Sequence, residues 1–115
     1  MKIAGEATML RVYVGQDDHW HGRSLHQAIL ERARQEGLAG ATVSIGIAGF
    51  GANSRIHTAS ILRLSEDLPV VIELVDSDEK ISAFVPVLDE MVTEGLITRQ
   101  PCSVVKYTHS RAGSV

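Results

Sequence analysis

Cys102 is the sole cysteine in the 115 residues, so no disulfide can form within the chain, and a reducing cytoplasm is the expected setting. Lysine is nearly as scarce, with Lys2, Lys80 and Lys106 alone, and arginine supplies the other cations. The balance of 11 Lys plus Arg against 14 Asp plus Glu gives a net charge of -3. With a pI near 5.9, a broad electrostatic grip on nucleic acid is excluded. Aromatics make up 4% of the chain. A sheet that stacks RNA bases needs several on its central strands, but Tyr13 is the one aromatic in ATMLRVYV and VVIELV has none. No apolar run is long enough to span a bilayer, and the start, MKIAGEATMLRVYV, does not read as a signal peptide.

One further absence is local. No acidic residue occurs between Glu36 and Glu66, in a chain that is acidic as a whole. That interval contains GIAGFGANSRIHTASILRL, residues 46–64. Gly46, Gly49 and Gly51 lie close together, followed by Asn53, Ser54, Arg55, His57 and Arg63. Glycine allows close backbone approach, and guanidinium groups suit planar oxyanions such as phosphate. The segment is therefore the candidate anion site, comprising Gly49, Phe50, Gly51, Asn53, Ser54, Arg55, His57 and Arg63. It lacks the GxxxxGKS or GxxxxGKT pattern and has no nearby lysine, which excludes a Walker-type loop. Glycines at a strand end also serve bulges and tight turns, and that alternative stays open.

Periodicity organises the rest into one domain over residues 1–115. In residues 7–14, Leu10, Val12 and Val14 share one face and Met9, Arg11 and Tyr13 the other, which reads as a strand. Ser24 opens a helix, with Gln27 completing a capping box and Leu25, Ala28, Ile29 and Ala33 at helical spacing up to Gly37. Residues 41–48 alternate again, placing Val43, Ile45 and Ile47 on one side. Residues 70–75 read as a third strand after a turn at Ser65–Pro69. Asp76 or Ser77 caps a second helix, with Asp78 and Glu79 in its first turn. Its stripe is Ile81, Phe84, Val85, Leu88 and Val92; it runs through Pro86 with a bend and ends at Gly95. Residues 103–107 form a last strand, and the tail 109–115 is expected to be disordered. The order is βαββαβ, the α+β ferredoxin-like pattern of two helices on one face of a four-stranded antiparallel sheet. The connection at about 50–68 is longer than a hairpin needs, as functional loops are.

Other candidate chemistry is thinner. His19, His21 and Asp18, with Asp17 nearby, carry metal-ligand chemistry but match no standard metal spacing. They define an alternative reading, a trimeric divalent-metal-binding protein. Cys102 has no evident base and reads as a small, partly buried hydrophobe, and no Ser-His-Asp arrangement can be argued. His57 or His21 as the base of a small hydrolase is a third reading.

The runs GFGANSRIH and LSEDLPVVIE are specific, and with GEATMLRVYVG, His21–Gly22 and EGLAGATV they resemble the PII-like family catalogued as domain of unknown function 190. The resemblance extends from about Gly5 to Tyr107. It implies ferredoxin-like subunits assembled as a homotrimer, a regulatory T-loop between the second and third strands, and adenine nucleotide in the clefts between subunits. It implies no enzymatic activity, no required cofactor, and a partner protein, with a membrane channel or transporter as a candidate. One departure matters. GLITRQP lacks the glycine- and lysine-rich phosphate loop of PII proteins, and neither Lys106 nor Tyr107 replaces its lysine. Fewer phosphate donors imply AMP or ADP as ligand in preference to ATP.

Overall fold

The computed structural model describes residues 2–50, 57–58 and 67–108. Strand β1 spans Lys2–Gly15 and two-residue strands β2 (His19–Trp20) and β3 (Arg23–Ser24) follow it. Helix α1 is Leu25–Gln35, then come β4 (Gly40–Ile45), β5 (Ala48–Gly49), β6 (His57–Thr58) and β7 (Pro69–Asp76). Helix α2 is Asp78–Met91 and β8 is Leu96–Thr108. The main sheet has the order β4-β7-β1-β8 with every neighbour antiparallel, the ferredoxin-like arrangement that the βαββαβ reading implies.

Alternation places the core. Leu10, Val12 and Val14 of β1 and Val70, Ile72 and Leu74 of β7 are buried beneath both helices. The α1 stripe of Leu25, Ala28, Ile29 and Ala33 and the α2 stripe of Ile81, Phe84, Leu88 and Met91 close over them. Val85 and Val92, expected within the α2 stripe, pack at its margin. Helix α2 is one helix through Pro86, as its continuous apolar spacing requires. At the end of α1, Gly37 (φ +80) lets its own N–H reach Arg34 O and the Leu38 N–H reach Ala33 O, the paired bonds of a Schellman stop.

Several boundaries differ from the sequence reading, each for a physical reason. Strand β8 is 13 residues long, so all of GLITRQP after Gly95 is strand and not connection. Pro101 is tolerated there because β8 is an edge strand, where a missing N–H costs no ladder bond on the open side. Strand β1 begins at Lys2 because its first residues pair with β8 alone. Helix α2 stops at Met91, and Gly95 serves the turn that follows, where a Cβ would lie 2.6 Å from Tyr13 O. Strand β4 ends at Ile45, leaving Ile47 exposed instead of aligned with Val43. The Ser24–Gln27 capping box does not form, since Ser24 Oγ lies 3.0 Å from Nδ1 of the His26 ring. At α2, Ser77 is the cap and its Oγ accepts from Lys80 N, while Asp76 is buried in another role. Ser65 and Glu66 of the turn before β7, and the 109–115 tail, lie outside the described residues.

The first turn of α2 is tied to the sheet by Asp78, which accepts from Thr8 Oγ1 at 2.9 Å and from Arg99. Arg99 also donates to Ser82 Oγ at 2.7 Å. The Arg99 hydrogen bond, then that of Thr8, holds the Asp78 carboxyl below its ordinary value of 3.8. A depressed folded-state pKa gives stability that is complete above the unfolded value and is lost as pH falls through the folded one. Asp78→Asn is thus expected to lower the neutral plateau of a stability–pH profile slightly and to flatten the acid limb below about pH 4, so that the variant and wild-type profiles converge at low pH. Urea midpoints across pH 2–7 measure this, and an acid limb of unchanged slope contradicts it.

Candidate functional site

The glycine-rich segment leaves the sheet where β4 ends and β7 begins. Gly46 N donates to Pro69 O at 2.7 Å, and a Cβ on Gly46 would come within 2.9 Å of Pro69 Cγ. At Gly49 the same carbon would be 3.2 Å away. These two glycines let the outgoing chain lie flat on the Pro69 ring. The chain then pairs with its returning arm in a minimal ladder, Ala48 opposite Thr58 and Gly49 opposite His57. The base of the long connection is therefore a short ribbon seated on the first residue of β7.

Around this base the neighbouring loop is knotted to β7. Gln16 N donates to Leu68 O at 2.8 Å and Asp17 N to Asp67 Oδ1 at 2.7 Å. Asp18 Oδ2 accepts from Gly15 N at 2.9 Å, and Asp67 sits so close that a Cβ at Gly15 would meet its Oδ2 at 2.5 Å. This corner was invisible in the sequence, because Gly15 and Asp67 are distant in the chain and no motif links them. On the open side, Ile47 (78% exposed) and Phe50 (70% exposed) present apolar surface to solvent beside the ribbon.

Of the expected anion-site residues, the structure places Gly49 in the ribbon, Phe50 just beyond it, and the His57 backbone opposite Gly49. Gly51, Asn53, Ser54, Arg55 and Arg63 lie outside the described residues. Gly46 and Gly49 lie against Pro69, a packing contact that needs no ligand.

The alternative metal residues are not gathered. Asp18 spends its carboxylate on Gly15 N, and the His21 ring stacks on Trp20 with centroids 3.9 Å apart and 13° between planes. His19 faces Ser24 across β2 and β3. Among the described residues, no group of three His, Cys, Asp or Glu side chains could hold a metal ion.

Two hollows lined by described residues lie elsewhere. The larger, about 440 Å³, lies where β1 and β8 pass the start of α2, lined by Glu6, Thr8, Asp78, Pro101 and Cys102. Its carboxylates have the wrong sign for phosphate. Cys102 is half-buried there, as expected of a small hydrophobe. The smaller, about 170 Å³, sits beside α1 near Trp20, and its arginines are paired, Arg23 with Glu31 and Arg32 with Glu36. Neither hollow lies at the loop base. Among the described residues, no helix is long and apolar enough to cross a membrane.

A ferredoxin-like sheet with a long connection springing from between its second and third main strands is the PII-like fold, and solved structures share it. CPII from Thiomonas intermedia K12, bound to ADP and bicarbonate, superposes with a TM-score of 0.58 at 14% identity, over 86% of this chain and 88% of CPII. GlnK of B. subtilis in complex with ATP gives 0.53 at 12% identity, over 88% and 85%. At sequence level, the family DUF190, described as "Uncharacterized ACR", matches residues 7–104, and the chain belongs to it. A UPF0166 protein of Aquifex aeolicus (strain VF5) is 37% identical over 99 residues, which is 84% of this chain and 91% of that protein.

Proposed function

We propose that this protein is a PII-like regulatory protein without enzymatic activity. It binds AMP or ADP at clefts between the subunits of a cytoplasmic homotrimer and signals through the 50–68 connection to a partner protein. The observation that carries this reading is the position of the acid-free segment. Its glycine base is seated at the mouth of the one long connection in a fold whose solved neighbours include nucleotide complexes. Arg55 clamps the phosphate, His57 adds a donor that responds to pH, and Phe50 supplies apolar contact at the base. Ligand binding then shifts the population of loop shapes, and the partner reads that shift. A membrane channel or transporter is the candidate partner.

Isothermal titration with AMP, ADP and ATP tests the reading, and absence of heat with all three at millimolar concentration overturns it. Arg55→Ala is expected to weaken the tightest-binding nucleotide by roughly 10- to 100-fold, the worth of a charge-assisted contact. An unchanged affinity in that variant removes Arg55 from the site.

A further inference from the structure

Strands β1 and β8 run on together past the end of the sheet. Strand β7 stops at Asp76, opposite Thr8, whereas the β1–β8 pairing continues to Lys2 and Thr108. This two-stranded ribbon does not run straight. Gly5 pairs with Val104 but Ile3 pairs with Tyr107, so β8 carries one residue more than β1 across that step. Gly5 itself has φ +89, and a Cβ there would meet nothing within 4 Å, so the position is constrained by conformation and not by space. An extra residue in one strand bends a ribbon and tightens its twist. The bend delivers the half-buried Tyr107 to the opposite edge of the sheet, where its hydroxyl donates to Ala39 O at 2.6 Å.

The turn that receives it is held from three directions. Lys80 Nζ donates to Gly37 O at 2.9 Å, and the Asp76 carboxylate accepts from Ala39 N at 2.8 Å. Both of those groups belong to the body of the domain, whereas Tyr107 belongs to the ribbon. Val105, next to the extra residue, is 93% exposed, so the ribbon gains no burial from its apolar side chain there. A segment held by few buried contacts opens at low free energy.

We propose that the β1–β8 ribbon is a strap, hinged at the Gly5 bulge and latched by Tyr107 onto Ala39. Latched, it steadies the α1–β4 turn and the first residues of β4. Released, it leaves them to the Lys80 and Asp76 bonds alone. Strand β4 is six residues long and its far end becomes the loop base at Gly46, so the latch acts on the same strand that carries the candidate site. A partner that favours the released strap shifts the latch by its differential affinity for the two states. This device does not depend on the nucleotide reading.

Hydrogen–deuterium exchange of the full chain without nucleotide tests it. In Tyr107→Phe, amides of 2–7, 102–108 and 37–41 should exchange about fivefold faster, the loss of one hydrogen bond, while 70–75 in β7 keep their protection. Gly5→Ala retains the hydroxyl but opposes the bend, and should give the same pattern. Unchanged exchange in the ribbon of Tyr107→Phe overturns the latch. Faster ribbon exchange with 37–41 unmoved overturns the coupling to β4. An equal rise everywhere, or failure of Tyr107→Phe to fold, shows that Tyr107 belongs to the global fold, and overturns the strap as well.

Discussion

Asp76→Ala is expected to lower unfolding free energy by roughly 3–5 kcal/mol, because two backbone donors lose a buried carboxylate acceptor at once. Asp76 is 3% exposed at the end of β7. It accepts from Ala39 N at 2.8 Å and from Ser77 N at 2.6 Å. The first bond fixes the entry to β4, the second the entry to α2, so one side chain sets the register of both connections. Hydrogen bonds to a charged acceptor contribute about 1.5–3 kcal/mol each, and a donor left without a partner keeps its desolvation cost. Asp76→Asn retains one acceptor oxygen but turns an NH2 toward the other donor, so it should fall between wild type and alanine. Urea denaturation at fixed protomer concentration reads the effect as a lower midpoint with an unaltered slope. A loss below about 1 kcal/mol for alanine would mean that water replaces the carboxylate, which its burial argues against.

Asp76 also shows where sequence reasoning reaches and where it stops. The alternation in β1 and the α1 stripe were legible, because period-2 and period-3.6 patterns are direct records of which face is buried, and β7 was legible as a β-branched run. From those came the element order, and from the order the sheet. The cap was read as Asp76 or Ser77, and local sequence cannot separate them: both are good caps, and the choice turns on Ala39, 37 positions away. The extent of β8 failed for a related reason. Pro101 and the polar residues of GLITRQP look like a connection, and an edge strand alone tolerates them.

The candidate site divides in the same manner. That a long, glycine-rich, acid-free connection joins the second and third main strands was readable directly. The reason for the glycines was not. Gly49 was a candidate for close approach to a phosphate, yet Gly46 and Gly49 both lie against the Pro69 ring, a contact only the fold creates. In the proposed reading, anion recognition therefore falls to Arg55, His57 and Arg63. The Asp17, Asp18 and Asp67 corner adds a second constraint. The segment has no acids of its own, but folding brings the Asp18 and Asp67 carboxylates to the corner beside its base, where they accept from Gly15 N and Asp17 N. Negative charge at this corner is unfavourable to a long polyphosphate chain.

Phe84→Ala is expected to produce the other large loss, about 3–5 kcal/mol, and to reveal how α2 is held. Phe84 is 2% exposed and lies midway along the stripe between Ile81 and Leu88, beneath which Leu10, Val12, Ile72 and Leu74 form the sheet side of the core. Truncation removes the largest fully buried side chain and leaves a cavity that the flanking helical turns cannot close without shifting. The helix has little to fall back on. Pro86 already removes one backbone donor from its interior, and a 14-residue helix is marginal in water by its own propensity. Packing, not hydrogen bonding, therefore carries α2, and the loss should appear at the high end of the range. Phe84→Leu, which keeps most of the volume, should cost less than half as much. Thermal unfolding should place the alanine variant roughly 10–20 °C below wild type. If alanine and leucine cost the same, packing does not carry the helix, and the role given to Phe84 is wrong.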